Sequence, residues 1–94
     1  MIKLNKAHIQ SVESIETKVR DFLSGNSLLD ISQAHSDTDL FKQGYIDSYG
    51  YIELIKFLET EFQILFSDEE LVSGNLNTFA NVAHLVRTKL ESAA

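Results

Sequence analysis

The sequence contains no cysteine, no proline and no tryptophan, and only four glycines. Without cysteine there is no disulfide framework, no thiol nucleophile and no Cys-based zinc site. Without proline, and with so little glycine, a turn-rich β domain is disfavoured and helices are expected. Basic residues are also scarce: eight Lys and Arg stand against 14 Asp and Glu, a formal net charge of −6. That balance repels phosphates, so direct nucleic-acid binding is not expected. Partners that present Lys and Arg are expected instead. No apolar run approaches the roughly 20 residues needed to span a bilayer. The opening residues, Met1-Ile-Lys-Leu-Asn-Lys-Ala, lack the long apolar core of a secretory signal. A cytoplasmic location is therefore the expectation.

What is present fits one small globular domain over residues 1–94. The hydrophobic fraction of 44% is that of a folding chain rather than a disordered one. A domain this size buries roughly 60–65% of its unfolded surface, which leaves little room for a large catalytic cavity.

Hydrophobic spacing predicts the elements. From about Lys6 to Leu23, Ile9, Val12, Ile15, Val19, Phe22 and Leu23 recur at helical intervals. Ser24-Gly25-Asn26 supplies a stop, with Gly25 able to take a left-handed conformation. Asn26 to Asp47 has no sustained period and is long for a connection, which points to a functional loop with hidden turns. Within it, adjacent Leu40 and Phe41 are both expected to plug into the core, and Gly44 to end the turn. From Ser48 to Phe62, the residues Tyr51, Leu54, Ile55, Leu58 and Phe62 form a core stripe. The opposite face holds Tyr49, Ile52, Glu53, Lys56, Glu59 and Thr60. Ile64-Leu65-Phe66 has the look of a short strand without a partner. Ser67 to Glu70 reads as a capping box opening a short helix. The last helix starts at Asn77-Thr78 and buries Phe79, Val82, Ala83, Val86 and Leu90, with His84 on the surface. The fold class is therefore all-α: a small four-helix bundle of three main helices and one short one, with a long loop between helices 1 and 2.

The acidic excess is local. Residues 37–70 carry nine acids and two bases, a net of −7, while the other sixty carry five acids and six bases. A solvated helix face accounts for such a pattern; a docking surface for a basic partner accounts for it too, and exposed Tyr49 and Ile52 favour docking. Asp47 and Ser48 precede the helix, and both are N-capping types. If Asp47 caps, Ser48 sits in the first turn with its hydroxyl in solvent, where the helix N-terminus favours a phosphate. Gly50 in that turn costs about 1 kcal/mol of helix propensity relative to Ala, tolerable where something approaches the backbone closely.

Catalytic and metal chemistry finds no footing. Gly44-Tyr-Ile-Asp-Ser-Tyr-Gly50 is not a nucleophile elbow. His8, His35 and His84 fall in three separate segments without metal spacing. A calcium loop from Asp37 would place Lys42 at its sixth position and Ser48 at its twelfth, where Gly and Glu belong. There is no glycine-rich phosphate loop.

The ordered series Asp39-Leu-Phe-Lys-Gln-Gly-Tyr-Ile-Asp-Ser-Tyr-Gly-Tyr-Ile-Glu-Leu-Ile-Lys-Phe-Leu-Glu-Thr-Glu-Phe62 resembles the acyl carrier protein family. The matching features are the Leu-Phe-x-x-Gly approach, the Asp-Ser pair, Glu five residues after Ser48, and Leu-Glu-x-Glu-Phe closing the helix. Asp68-Glu-Glu and Thr78-Phe also match, so that the resemblance covers roughly residues 12–90. It implies a single acyl-carrier-like domain that is not an enzyme. Ser48 aligns with the serine to which a phosphopantetheinyl transferase joins 4′-phosphopantetheine from coenzyme A, making the chain a phosphoprotein, with Asp47 as the cap beside it. The arm's thiol holds acyl or aminoacyl groups as thioesters in fatty-acid or secondary-metabolite biosynthesis. The implied partners, besides the transferase, are an acyl- or aminoacyl-loading ligase and a downstream transferase or synthase with basic docking surfaces. They would meet Tyr49, Ile52, Glu53, Lys56 and Glu59 of a monomer.

The departures are Tyr49, where Leu is common, Lys56, where the stripe is often apolar, and Thr60, where it is often acidic. Asp47-Ser48-Tyr49-Gly50 is similar to the Asp-Ser-Phe-Gly of stand-alone D-alanyl carriers. The other function the residues allow is an unmodified acidic helical protein-protein interaction module. A core expected to be crowded by Phe22, Phe41, Phe62, Phe79 and Tyr51, with Phe57 at its side, predicts a short or polar cargo held outside the helices.

Overall fold

A computed structural model describes residues 11–73 and 76–93 of the chain. Its elements are α1 (Val12–Ser24), a 3₁₀ turn (Ile31–Gln33), α2 (Ser48–Phe62), α3 (Asp68–Ser73) and α4 (Phe79–Ala93). Among the described residues there is no strand; the segment Ile64–Phe66 is an extended connection that buries Ile64 and Phe66 and exposes Leu65.

Each helix begins where its sequence supplies a cap. Ser11 accepts the Ser14 N–H at 3.0 Å and opens α1. The expected start near Lys6, with Ile9, lies outside the described residues. At the other end Gly25 stops α1 as expected, at φ −105° and without the left-handed conformation open to it, its N–H reaching the Phe22 and Leu23 carbonyls. The capping box before α3 closes in both directions: Ser67 N–H donates to Glu70 Oε1 at 2.8 Å, and Glu70 N–H to Ser67 Oγ at 3.1 Å. Thr78 Oγ1 takes the Asn81 N–H at 3.0 Å and caps α4.

The helices α1 and α2 run antiparallel. Lys18 pairs with Glu61 at 2.9 Å, and one turn on, Phe22 stacks on Phe57 with ring centroids 4.4 Å apart. Late in α1, Arg20 lies 4.3 Å from the ring centre of Phe79, the first residue of α4. The buried stripe of α4 is as predicted: Phe79, Val82, Ala83, Val86 and Leu90. On α2, Leu54, Ile55, Leu58 and Phe62 are buried, whereas Tyr51 is only half-buried.

The core differs from expectation in its aromatic content. Its fully enclosed centre is mostly aliphatic, with Ile15, Val19, Leu23, Leu40, Leu54, Leu58, Val82 and Val86 around Phe79. Phe22 and Phe57 sit half-buried at its edge. Phe41, expected inside with Leu40, is 38% exposed. Adjacent residues of a tight turn point in different directions, and only Leu40 points inward. Phe62 and Phe79 are thus buried as expected, with Tyr45 and Phe66 beside them, while Phe22, Phe41 and Tyr51 do not fill the interior.

The long connection from α1 to α2 is folded. Leu28 N–H reaches the Tyr45 carbonyl at 2.9 Å, and the Tyr45 and Ile46 N–H groups share the Leu40 carbonyl at 2.9 and 3.2 Å. Gly44 turns the chain at φ 84°, a conformation that glycine adopts without a Cβ penalty. Ile31, Ala34, Tyr45 and Ile46 are buried beneath these turns. Asp39 fastens the loop to the start of α4. Its Oδ1 accepts the N–H groups of Phe41 and Lys42, its Oδ2 accepts Asn77 Nδ2 at 2.6 Å, and Leu40 N–H donates to the Asn77 carbonyl at 2.7 Å.

Two carboxylates link this framework to pH. The Lys42 backbone N–H holds the Asp39 carboxyl below its ordinary value of 3.8, with Asn77 and the Phe41 N–H adding to it. The Ser67 N–H, then Lys89, does the same for Glu70 below 4.5. Lys89 Nζ lies 2.9 and 3.1 Å from the two Glu70 oxygens and ties α3 to α4. A lowered folded-state value means stability that is full above the unfolded value and lost as pH falls through the folded one. Urea titrations are expected to show midpoints that hold down to about pH 5 and then fall steadily. Asp39→Asn and Glu70→Gln are each expected to lower the midpoint at pH 7 and flatten that acid slope. Slopes identical to wild type would show that neither carboxylate is linked to folding.

Candidate functional site

The start of α2 is held from three sides. Asp47, in extended conformation at φ −115° and ψ −170°, caps the helix by accepting the Gly50 N–H at 2.8 Å, and its carbonyl takes the Tyr51 N–H at 2.9 Å. Beneath, Ile46 is only 3% exposed and anchors the residue before the cap. Gly50 is buried, and a Cβ built on it would meet Ile46 Cβ at 3.4 Å. That is van der Waals packing, so the close neighbour of Gly50 is the chain's own Ile46.

On this support Ser48, the first residue of a 15-residue helix, is exposed. Its cap residue spends its carboxylate on the Gly50 N–H. A phosphate bonded to Ser48 Oγ would sit at the positive end of α2, close to first-turn N–H groups. These residues fit a serine-linked phosphate arm.

Along α2 from Ser48, Tyr49, Ile52, Glu53 and Lys56 fall at helical spacing on one stripe. Tyr49 is 72% and Ile52 54% exposed. Glu53 is half-buried and lies 3.6 Å from Lys56 Nζ. Glu59 continues the stripe one turn beyond Lys56. One of its oxygens accepts the Phe66 N–H at 3.0 Å, so it also positions the connection to α3, a role no sequence pattern announced. Tyr45, Ile46 and Phe41 are the site's other unannounced members, supplied by a loop without periodicity.

A groove of about 670 Å³ opens between Gln63, Ile64, Leu65, Thr88, Lys89 and Ser92. It lies at the far end of α2, fifteen residues or about 22 Å from Ser48, and does not belong to the serine site. Among the described residues no three His, Cys, Asp or Glu side chains gather as metal ligands.

The chain is 31% identical over 67 residues to a D-alanyl carrier protein of Bacillus subtilis (strain 168), a match that covers 71% of this chain and 86% of that protein. The chain belongs to the acyl carrier protein family. No family model and no solved structure matches it. As a member of that family it is a carrier protein. Among the described residues of this carrier, no helix is long and apolar enough to cross a membrane.

Proposed function

We propose that the chain is a carrier whose Ser48 is joined to 4′-phosphopantetheine from coenzyme A, and that it delivers acyl or aminoacyl groups to partner enzymes. The observation that carries this reading is the exposed Ser48 immediately after the Asp47 cap, in a chain belonging to the carrier family. The arm supplies a thiol on which such groups travel as thioesters. Asp47 fixes the turn, Ile46 and Gly50 lock it against the core, and Ser48 is thereby presented on a rigid support. The D-alanyl carrier relative and the Asp47-Ser48-Tyr49-Gly50 sequence favour an aminoacyl or short acyl cargo. A cytoplasmic location goes with this reading, because coenzyme A is an intracellular metabolite.

The test is the intact mass of the chain after incubation with coenzyme A and a broad-specificity phosphopantetheinyl transferase. A single addition of the arm is expected. An unchanged mass would leave the reading as an unmodified interaction module.

The stripe of Tyr49, Ile52, Glu53 and Lys56, with Glu59 at its border, is the docking face in this proposal, for a transferase, loading ligase or synthase of basic surface. Glu53→Lys is expected to slow transferase modification and weaken its dependence on salt, because like charges across an interface are costly. Its effect on folding should stay within about 0–1 kcal/mol, as for other surface ion pairs. Rates and salt dependence equal to wild type would show a face that is only solvated.

A further inference from the structure

Tyr51 stands three residues after Ser48 on α2, so the two side chains are neighbours, about 5–6 Å apart at Cβ. Helical side chains lean toward the N-terminus of their helix, which carries the Tyr51 ring toward Ser48. The Phe41 ring, from the turn before α2, lies against it, with centroids 5.5 Å apart and planes inclined by 53°. The Tyr51 hydroxyl donates to the Leu71 carbonyl of α3 at 3.3 Å. The ring is thus held by Phe41 and by α3 at once. Burial pushes its phenol above the ordinary value, yet Tyr51 is only half-buried and Phe41 remains 38% exposed. Two rings therefore keep apolar surface in water, one of them a helical turn from the serine, where aromatic faces gain from being covered.

We propose that the Phe41–Tyr51 ring pair is a resting surface for the pantetheine arm, which lies along the outside of the bundle from Ser48 toward α3. This rests on the reading of Ser48 as the attachment site. The arm combines a geminal dimethyl group with two amides, and an apolar branch on a polar chain suits an aromatic face that borders solvent. Tethering matters to the energetics. A ligand bonded to Ser48 is present at an effective concentration in the millimolar range, so a contact too weak to hold free pantetheine holds the attached arm. The fully enclosed interior beneath, with Leu54 and Leu58 at 0% exposure, offers it no comparable place.

The test uses isotope-labelled protein carrying an unlabelled arm, with attachment verified by mass. Isotope-filtered nuclear Overhauser spectra are expected to connect the arm's methyl protons to ring protons of Phe41 and Tyr51. Phe41→Ala and Phe41→Leu are each expected to remove most of that signal and sharpen the arm's methyl resonances, while backbone shifts far from the turn stay as in wild type. Contacts confined to Ser48 and Tyr49, or contacts to Leu54 and Leu58 instead, would overturn the inference and leave the attachment intact. Unchanged signal in both Phe41 variants would overturn it as well. A chain that takes no arm at all overturns the attachment and this inference together, and the mass measurement tells the two failures apart.

Discussion

Replacing Phe79 with Ala is expected to lower the unfolding free energy by about 3–5 kcal/mol, the usual range for a buried phenylalanine. Phe79 is fully buried and is the largest of the fully enclosed side chains. It is also the first residue of α4, placed where α1, the long loop and α4 converge: Arg20 covers its ring at 4.3 Å, and the Ala80 N–H beside it donates to the Ser36 carbonyl at 2.9 Å. Truncation removes the apolar surface, leaves a cavity bounded by helices that cannot all close on it, and removes the ring beneath Arg20, itself a contact of about 0.5–1 kcal/mol. A domain of this size is stable by only about 5–15 kcal/mol, so the loss is a large share of the total. Urea unfolding should show a lower midpoint with an unchanged slope. Phe41→Ala, at a partly exposed ring, is the internal control and should cost much less. A Phe79→Ala loss no greater than that of Phe41→Ala would show that Phe79 is not the keystone of the core.

Ser48→Ala is expected to abolish arm attachment completely while leaving the bundle as stable as wild type. The separation follows from how the turn is held. Capping belongs to Asp47, whose carboxylate takes the Gly50 N–H, and anchoring belongs to Ile46. Exposed Ser48 adds neither, and Ala is the better helix former by a few tenths of a kcal/mol. Asp47→Ala should do the reverse. It loses about 1 kcal/mol of cap and slows attachment through a loosened turn without removing the acceptor. Intact mass and a urea midpoint on each variant check both statements. Attachment surviving in Ser48→Ala would assign the arm to another hydroxyl.

The amino-acid sequence by itself determined the elements whose signals are local. The buried stripe of α4, most of that of α2, the reciprocal cap of Ser67 and Glu70, and the Asp47 cap with Ser48 exposed just inside the helix all follow from spacing along a few turns of chain. The family was legible in the same way, in the ordered series from Asp39 to Phe62. Tertiary structure alone decided what depends on contacts between distant segments. It buried Leu40 and left Phe41 at the surface, because the turn is oriented by the bond from Leu40 to Asn77, 37 residues away. It gave Gly50 the chain's own Ile46 as its close neighbour and drew Glu59 to the Phe66 N–H. It also set the Phe41 and Tyr51 rings together. A loop without periodicity carries no record of which side will face the core; that is fixed only when the helices it connects have packed and the backbone groups of the loop find their partners.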